Sequence, residues 1–129
     1  MVSMKQKTQT FEFMKDNGEL GWLVTYPDEQ NHHFQNKADA LIVVMHQFKD
    51  EAKFTLTLQN WIGDYKREYS IVKSPKIISA LFNKRGKPHI YTNPKSAYSN
   101  ILNDFLYDKS APEFENFKAI ITKEATNGR

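Results

Sequence analysis

A chain of 129 residues with 40% hydrophobic and 13% aromatic side chains suits a single domain with its own core and excludes a disordered chain. It contains no cysteine, which excludes disulfides, thiolate nucleophiles and sulfur-ligated zinc. A net charge of +3 conceals segregation: Lys66 to Lys95 holds eight Lys or Arg against Glu68 alone, and the remainder of the chain is net acidic.

Met1 to Thr10 is polar, without the apolar core of a secretory signal. The longest apolar run, Ala40 to Met45, falls far short of the roughly 18–20 residues of a membrane span, so a cytoplasmic protein is expected. Residues 1–8 and 126–129 are expected to fray. Thr10–Lys15 and Leu20–Tyr26 flank Asn17-Gly18, the preferred centre of a type I′ turn, and pairing outward from it sets Phe13 opposite Trp22 and Phe11 opposite Val24. Pro27 to Gln35 reads as a polar loop. Asn36 then caps a helix carrying Ala38, Leu41, Ile42, Met45 and Phe48 at helical spacing.

Phe54, Leu56 and Leu58 alternate with polar residues, and a hairpin of 53–59 and 65–72 is expected around Gly63-Asp64. Ser74-Pro75 has the form of an N-cap followed by proline at the first helical position, with Ile77, Ile78, Leu81 and Phe82 as the buried stripe and Gly86 as the stop. His89 to Thr92 is a short extended segment. Asn93-Pro94 opens a second clear helix through Phe105 and Leu106, and Ser110-Ala111-Pro112-Glu113 has capping-box form for a last one carrying Phe114, Phe117, Ile120 and Ile121. No internal repeat is expected. The fold class is α+β: an antiparallel sheet, built from an N-terminal hairpin and a second strand pair, packed against about four helices in a single domain, 1–129.

The basic segment is where binding is expected. Lysine and arginine set against phosphates give nucleic-acid binders their sequence-independent affinity. Lys84, Arg85 and Lys87 cluster in a turn whose glycine lets the backbone approach a ligand closely. Lys73 flanks this region, and Lys76 and Lys95 fall in the first turns of expected helices, where a cation opposes the helix dipole unless an anion is nearby. Tyr65, Tyr69 and Tyr91 lie among these bases and are available to stack. Within the turn, Lys84-Arg85-Gly86-Lys87-Pro88 resembles the core of an AT-hook, a resemblance that implies phosphate contact.

Asp28 after Pro27, followed by Glu51-Ala52-Lys53, resembles the PD-(D/E)xK nuclease pattern, which implies a divalent metal held by Asp28 and Glu51 with Lys53 near the attacking water. The helix expected over 37–49 separates the two halves of that pattern, and no enzyme activity is expected. His32 and His33 are adjacent, so their side chains diverge, and neither His46 nor His89 joins a ligand spacing, so no metal or other cofactor is expected. The reading is a non-enzymatic module that binds DNA or RNA through Lys73, Lys76, Lys84, Arg85, Lys87, Lys95 and Tyr91, with no membrane and no small-molecule substrate. Its rival is a small phage- or plasmid-type inhibitor of a nucleic-acid-handling host protein, working in the host cytoplasm; anti-CRISPR proteins are the example, by analogy of type.

Overall fold

The computed structural model describes residues 6–16, 21–82 and 86–124. Among them the chain forms strands β1 (Gln6–Asp16), β2 (Gly21–Thr25) and β3 (Asn31–Phe34), then helix α1 (Lys37–His46). Strands β4 (Lys53–Asn60), β5 (Lys66–Lys73), β6 (Ile78–Phe82) and β7 (His89–Tyr91) follow, then helix α2 (Pro94–Leu106) and strand β8 (Phe117–Glu124). All eight strands join one sheet in the order β3-β2-β1-β8-β4-β5-β6-β7, with every pairing antiparallel. The last strand of the sequence therefore lies at the centre.

Strand alternation divides the sheet into two faces. Phe11, Phe13, Trp22, Val24, Leu56, Leu58, Tyr69, Ile71, Phe117 and Ile121 are buried on one side. There they meet Leu41, Val44 and Met45 of α1 and Tyr98, Ile101, Leu102 and Phe105 of α2. The opposite face carries Thr10, Glu12, Thr55, Thr57, Lys118 and Thr122, none of them buried, as an antiparallel sheet permits. Each helix starts at an asparagine whose side chain accepts a backbone N–H three residues on: Asn36 from Asp39 and Asn93 from Ser96, both at 2.8 Å.

This architecture corrects the expectation of about four helices: two are present among the described residues. Ser74-Pro75 opens no helix. The Ser74 amide donates to the Ile77 carbonyl at 2.9 Å, and Pro75-Lys76 is the central pair of a tight turn between β5 and β6. Proline's fixed φ suits the second position of a turn as well as the first of a helix. Ile78 and Ala80 are buried and Ser79 and Leu81 are not, so the period is two. Likewise Phe117, Ala119 and Ile121 alternate inward along β8 where a last helix was expected, because β1 and β4 hold that segment from both sides. The loop expected over 27–35 contains β3, paired to β2.

The N-terminal hairpin forms with its register displaced. Phe13 faces Val24 and Lys15 faces Trp22, and Asp16 pairs with Gly21. The shift is two residues, so the apolar side chains keep their face. Asn17-Gly18 lies outside the described residues.

The topology also overturns the expectation of no repeat. β1-β2-β3-α1-β4 and β5-β6-β7-α2-β8 follow one plan, a three-strand meander that runs outward, a helix that returns, and a strand delivered to the centre. Each fourth strand lies beside the other unit's first: β4 next to β5, and β8 next to β1. The interiors match. Phe11 meets Tyr26 edge-on at 5.2 Å and Tyr26 meets His32 at 4.2 Å; Tyr69 meets Phe82 edge-on at 5.1 Å and Phe82 meets His89 at 4.3 Å. His32, Phe34, Asn36, Ala40, Val44 and Met45 recur at constant spacing as His89, Tyr91, Asn93, Ala97, Ile101 and Leu102.

Candidate anion-binding cleft

The end of α1 and the start of α2 come together because the helices run antiparallel, and the β5–β6 turn closes the space between them. The result is a cleft of about 600 Å³. Ile42 and Val43 of α1 form one wall, Pro75 and Ile77 of the turn another, and Pro94 of α2 a third. Lys49, Lys73, Lys76, Lys95 and His46 also line it, and among the described residues no carboxylate does. Val43 and Ile77 are 46% and 42% exposed, unusual for large aliphatic side chains with a core available to them.

The cations differ in freedom. The Lys73 ammonium donates to the Phe48 carbonyl and lies 5.3 Å from the Phe54 ring centroid; burial lowers its pKa, while Asp50 and Glu51 oppose that shift. It is committed to holding the turn after α1 against β5. Lys49 makes an exposed pair with Asp50 at 3.2 Å, an interaction of little strength in water. Lys76 and Lys95 are exposed and make no ion pair among the described residues. Asp50 and Glu51 border a separate hollow of about 220 Å³ behind Lys73, and Glu51 is bound by Lys123 at 2.8 Å.

Beside the cleft stands Tyr98, only 2% exposed, with a buried hydroxyl that has no hydrogen-bond partner among the described residues; burial pushes its pKa up. The neighbouring tyrosine of β5 differs. Tyr69 donates to Asp104 at 2.7 Å, and Arg67 ion-pairs with Asp104 (Nε, 3.2 Å) and donates to Asp108 (Nη1, 2.7 Å), so that cluster fastens α2 to β5, although the buried Arg67 Nε makes no hydrogen bond among the described residues.

Of the residues expected to bind, Lys73, Lys76 and Lys95 share this cleft. Lys76 is in a β-turn rather than at a helix start, whereas Lys95 is in the first turn of α2 as expected. Lys87 is exposed in the connection between β6 and β7, at the opposite end of β6. Five strand residues, about 17 Å, separate the two ends. Lys84 and Arg85 belong to that connection and lie outside the described residues, and Gly86 there has φ +69. Tyr91 is half-buried against the core, and burial, then the charge of Asp104, raises its pKa. From Tyr69 to Asn103, through β6, β7 and most of α2, the chain contains six Lys or Arg and no Asp or Glu.

The nuclease-like pattern is dispersed. Asp28 accepts the Gln30 amide in the β2–β3 turn, while Glu51 precedes β4. β1 and β8 lie between β2 and β4, so the strands that the two residues adjoin are about three strand spacings, roughly 14 Å, apart. Among the described residues no three His, Asp or Glu gather where they could hold a metal ion, and no helix is long and apolar enough to cross a membrane.

Sequence reasoning missed Ile42, Val43, Lys49 and Tyr98 as site residues. The unbroken run Ala40 to Met45 carried a signal, since a helix covered on one side needs apolar residues on that side only. No protein-family model, curated protein or solved structure matches the chain.

Proposed function

We propose that the protein is a non-enzymatic binding module for nucleic acid, with phosphates held by Lys49, Lys76 and Lys95 at the cleft and by Lys87 at the far end of β6 and β7, and with Lys84 and Arg85, its neighbours in sequence, as further phosphate contacts. The observation that carries this reading is the stretch of chain from Tyr69 to Asn103, which holds six Lys or Arg and no Asp or Glu and supplies cations to the cleft and to the β6–β7 connection. A small anion could use one of these two places. Cations at both, about 17 Å apart, suit an extended polyanion. The α2 N-terminus adds the positive end of a helix dipole beside Lys95, and no acid occupies its first turn. With nucleic acid as ligand, the working compartment is the cytoplasm.

The test is a salt titration of binding to random single- and double-stranded DNA and RNA, joined to capture of partners from lysate with and without nuclease. Binding that weakens steeply with salt supports the reading. No binding at low salt, with a protein partner that survives nuclease, would overturn it in favour of an inhibitor that sets these cations against an acidic protein surface.

A further inference from the structure

The two halves of the chain provide an internal comparison. At the positions of Ile42, Val43, Lys49 and Lys95, the other half carries Ser99, Asn100, Leu106 and Ala38. A hollow of about 700 Å³ at the start of α1 and the end of α2 is lined by Lys37, Glu113 and Glu115 together with Leu106, Tyr107 and Phe114, and is therefore of mixed charge. The shared scaffold forms without an apolar wall ringed by lysines, so those features belong to this cleft and are no requirement of the fold. The Tyr98 hydroxyl is a third departure. Its counterpart is the fully buried Leu41, so packing at this position is satisfied by hydrocarbon, and Tyr98 adds a polar atom without a partner among the described residues.

Phosphate contacts account for the lysines and leave the aliphatic walls unexplained. A duplex hides the faces of its bases, whereas a single strand offers a flat apolar surface between two phosphates. A cleft of about 600 Å³ lies within the range of roughly 300–1,000 Å³ typical of sites that enclose small organic groups. We infer that the cleft seats an unstacked nucleobase between Val43 and Ile77, with the flanking phosphates on Lys76 and Lys95. Apolar side chains are established partners for bases removed from a stack. This rests on the nucleic-acid reading above and adds to it a preference for single strands.

The experiment measures fluorescence anisotropy at low salt with three labelled probes of equal length: a single strand, the same strand built from abasic sites, and a duplex. The wild type should bind the single strand about tenfold more tightly than the abasic strand, the lower part of the range for contacts to a base face. Ile42→Ser with Val43→Asn, which gives α1 the residues α2 carries, should remove that margin and leave the abasic affinity unchanged. Ile77→Ser, on the opposite wall, should do the same and guards against a folding defect in the helix variant, with melting curves recorded for both. Lys76→Ala with Lys95→Ala should weaken both single-stranded probes alike. Equal affinity for the base-bearing and abasic strands, or a margin that survives both wall variants, would overturn the base seat while leaving phosphate binding standing. Failure of all three probes to bind would overturn the nucleic-acid reading together with the seat.

Discussion

The Tyr69 hydroxyl donates to Asp104 Oδ2 at 2.7 Å, joining the middle of β5 to the third turn of α2. The contact is local in space and distant in sequence, and it positions the helix whose first turn carries Lys95. Asp104 also takes Arg67 Nε at 3.2 Å, so the tyrosine donates to a carboxylate that is already held. Tyr69→Phe should destabilise the fold by about 1.5–3 kcal/mol, the range for a hydrogen bond to a charged group. Urea denaturation reads this directly. A midpoint equal to wild type would mean that the bond is absent in solution.

Gly21 supplies a second test, aimed at the strand the sequence conceals. A Cβ there would lie 2.6 Å from the Phe34 carbonyl oxygen and 2.7 Å from His33 Cε1, because β3 crosses closely beside β2. A backbone atom at that distance cannot yield without moving the strand. Gly21→Ala should therefore destabilise by about 1–3 kcal/mol, the usual effect of overpacking. Unchanged thermal stability would mean that β3 does not pack there.

Which elements are legible in the sequence follows from what specifies them. α1 and α2 each begin at an asparagine cap and continue in an apolar stripe, both local signals. β4 shows clean alternation over eight residues, whereas β5 alternates only around Tyr69 and Ile71, where a helical spacing through Trp61, Ile62, Tyr65, Tyr69 and Val72 competes. β6 and β8 have spacings that fit either period: Ile77, Ile78, Leu81 and Phe82 suit a helix, and Ile78, Ala80 and Phe82 suit a strand. The choice is made by partners, since β8 lies between β1 and β4 and no local window contains either. The repeat is obscured because its halves share few identities and differ in loop length. For the site, charge segregation is visible in the sequence, but its division between two ends of β6 is hidden once β6 is read as a helix. The cleft walls at Ile42 and Val43 are indistinguishable from core until the helix is seen from outside.

Asp108 provides a pH test. The Ser110 hydroxyl and amide both donate to Asp108 Oδ1, the amide at 2.7 Å, and Arg67 sits on Oδ2. These bonds, those from Ser110 foremost, hold the Asp108 carboxyl below its ordinary range. A depressed folded-state pKa means that the stabilisation is complete above the unfolded value of about 3.9 and is lost as pH falls through the folded one. Ser110→Ala should move the Asp108 pKa upward, followed by carboxyl-carbon NMR, and shift acid unfolding to higher pH. An unmoved titration would show that the hydroxyl does not bind the carboxylate.

The last prediction separates the two groups of cations. Lys76 and Lys95 line the cleft, while Lys87, which follows Lys84 and Arg85 in the sequence, stands at the other end of β6 and β7. Counterion release sets the slope of log K against log salt at about 0.9 for each phosphate neutralised on duplex DNA, or about 0.7 on single strands. Lys76→Ala with Lys95→Ala should reduce the single-strand slope by about 1.4 if both lysines touch phosphate. Lys84→Ala, Arg85→Ala and Lys87→Ala together should reduce it by up to about 2.1, but only on strands long enough to span the roughly 17 Å between the ends. Shortening the oligonucleotide to three nucleotides should abolish the effect of one cluster and preserve that of the other. Neither set should alter stability appreciably, because exposed lysines contribute little to folding. If the triple variant matches wild type on long strands while the cleft pair does not, phosphate binding is confined to the cleft, and the β6–β7 connection is only a solvated turn.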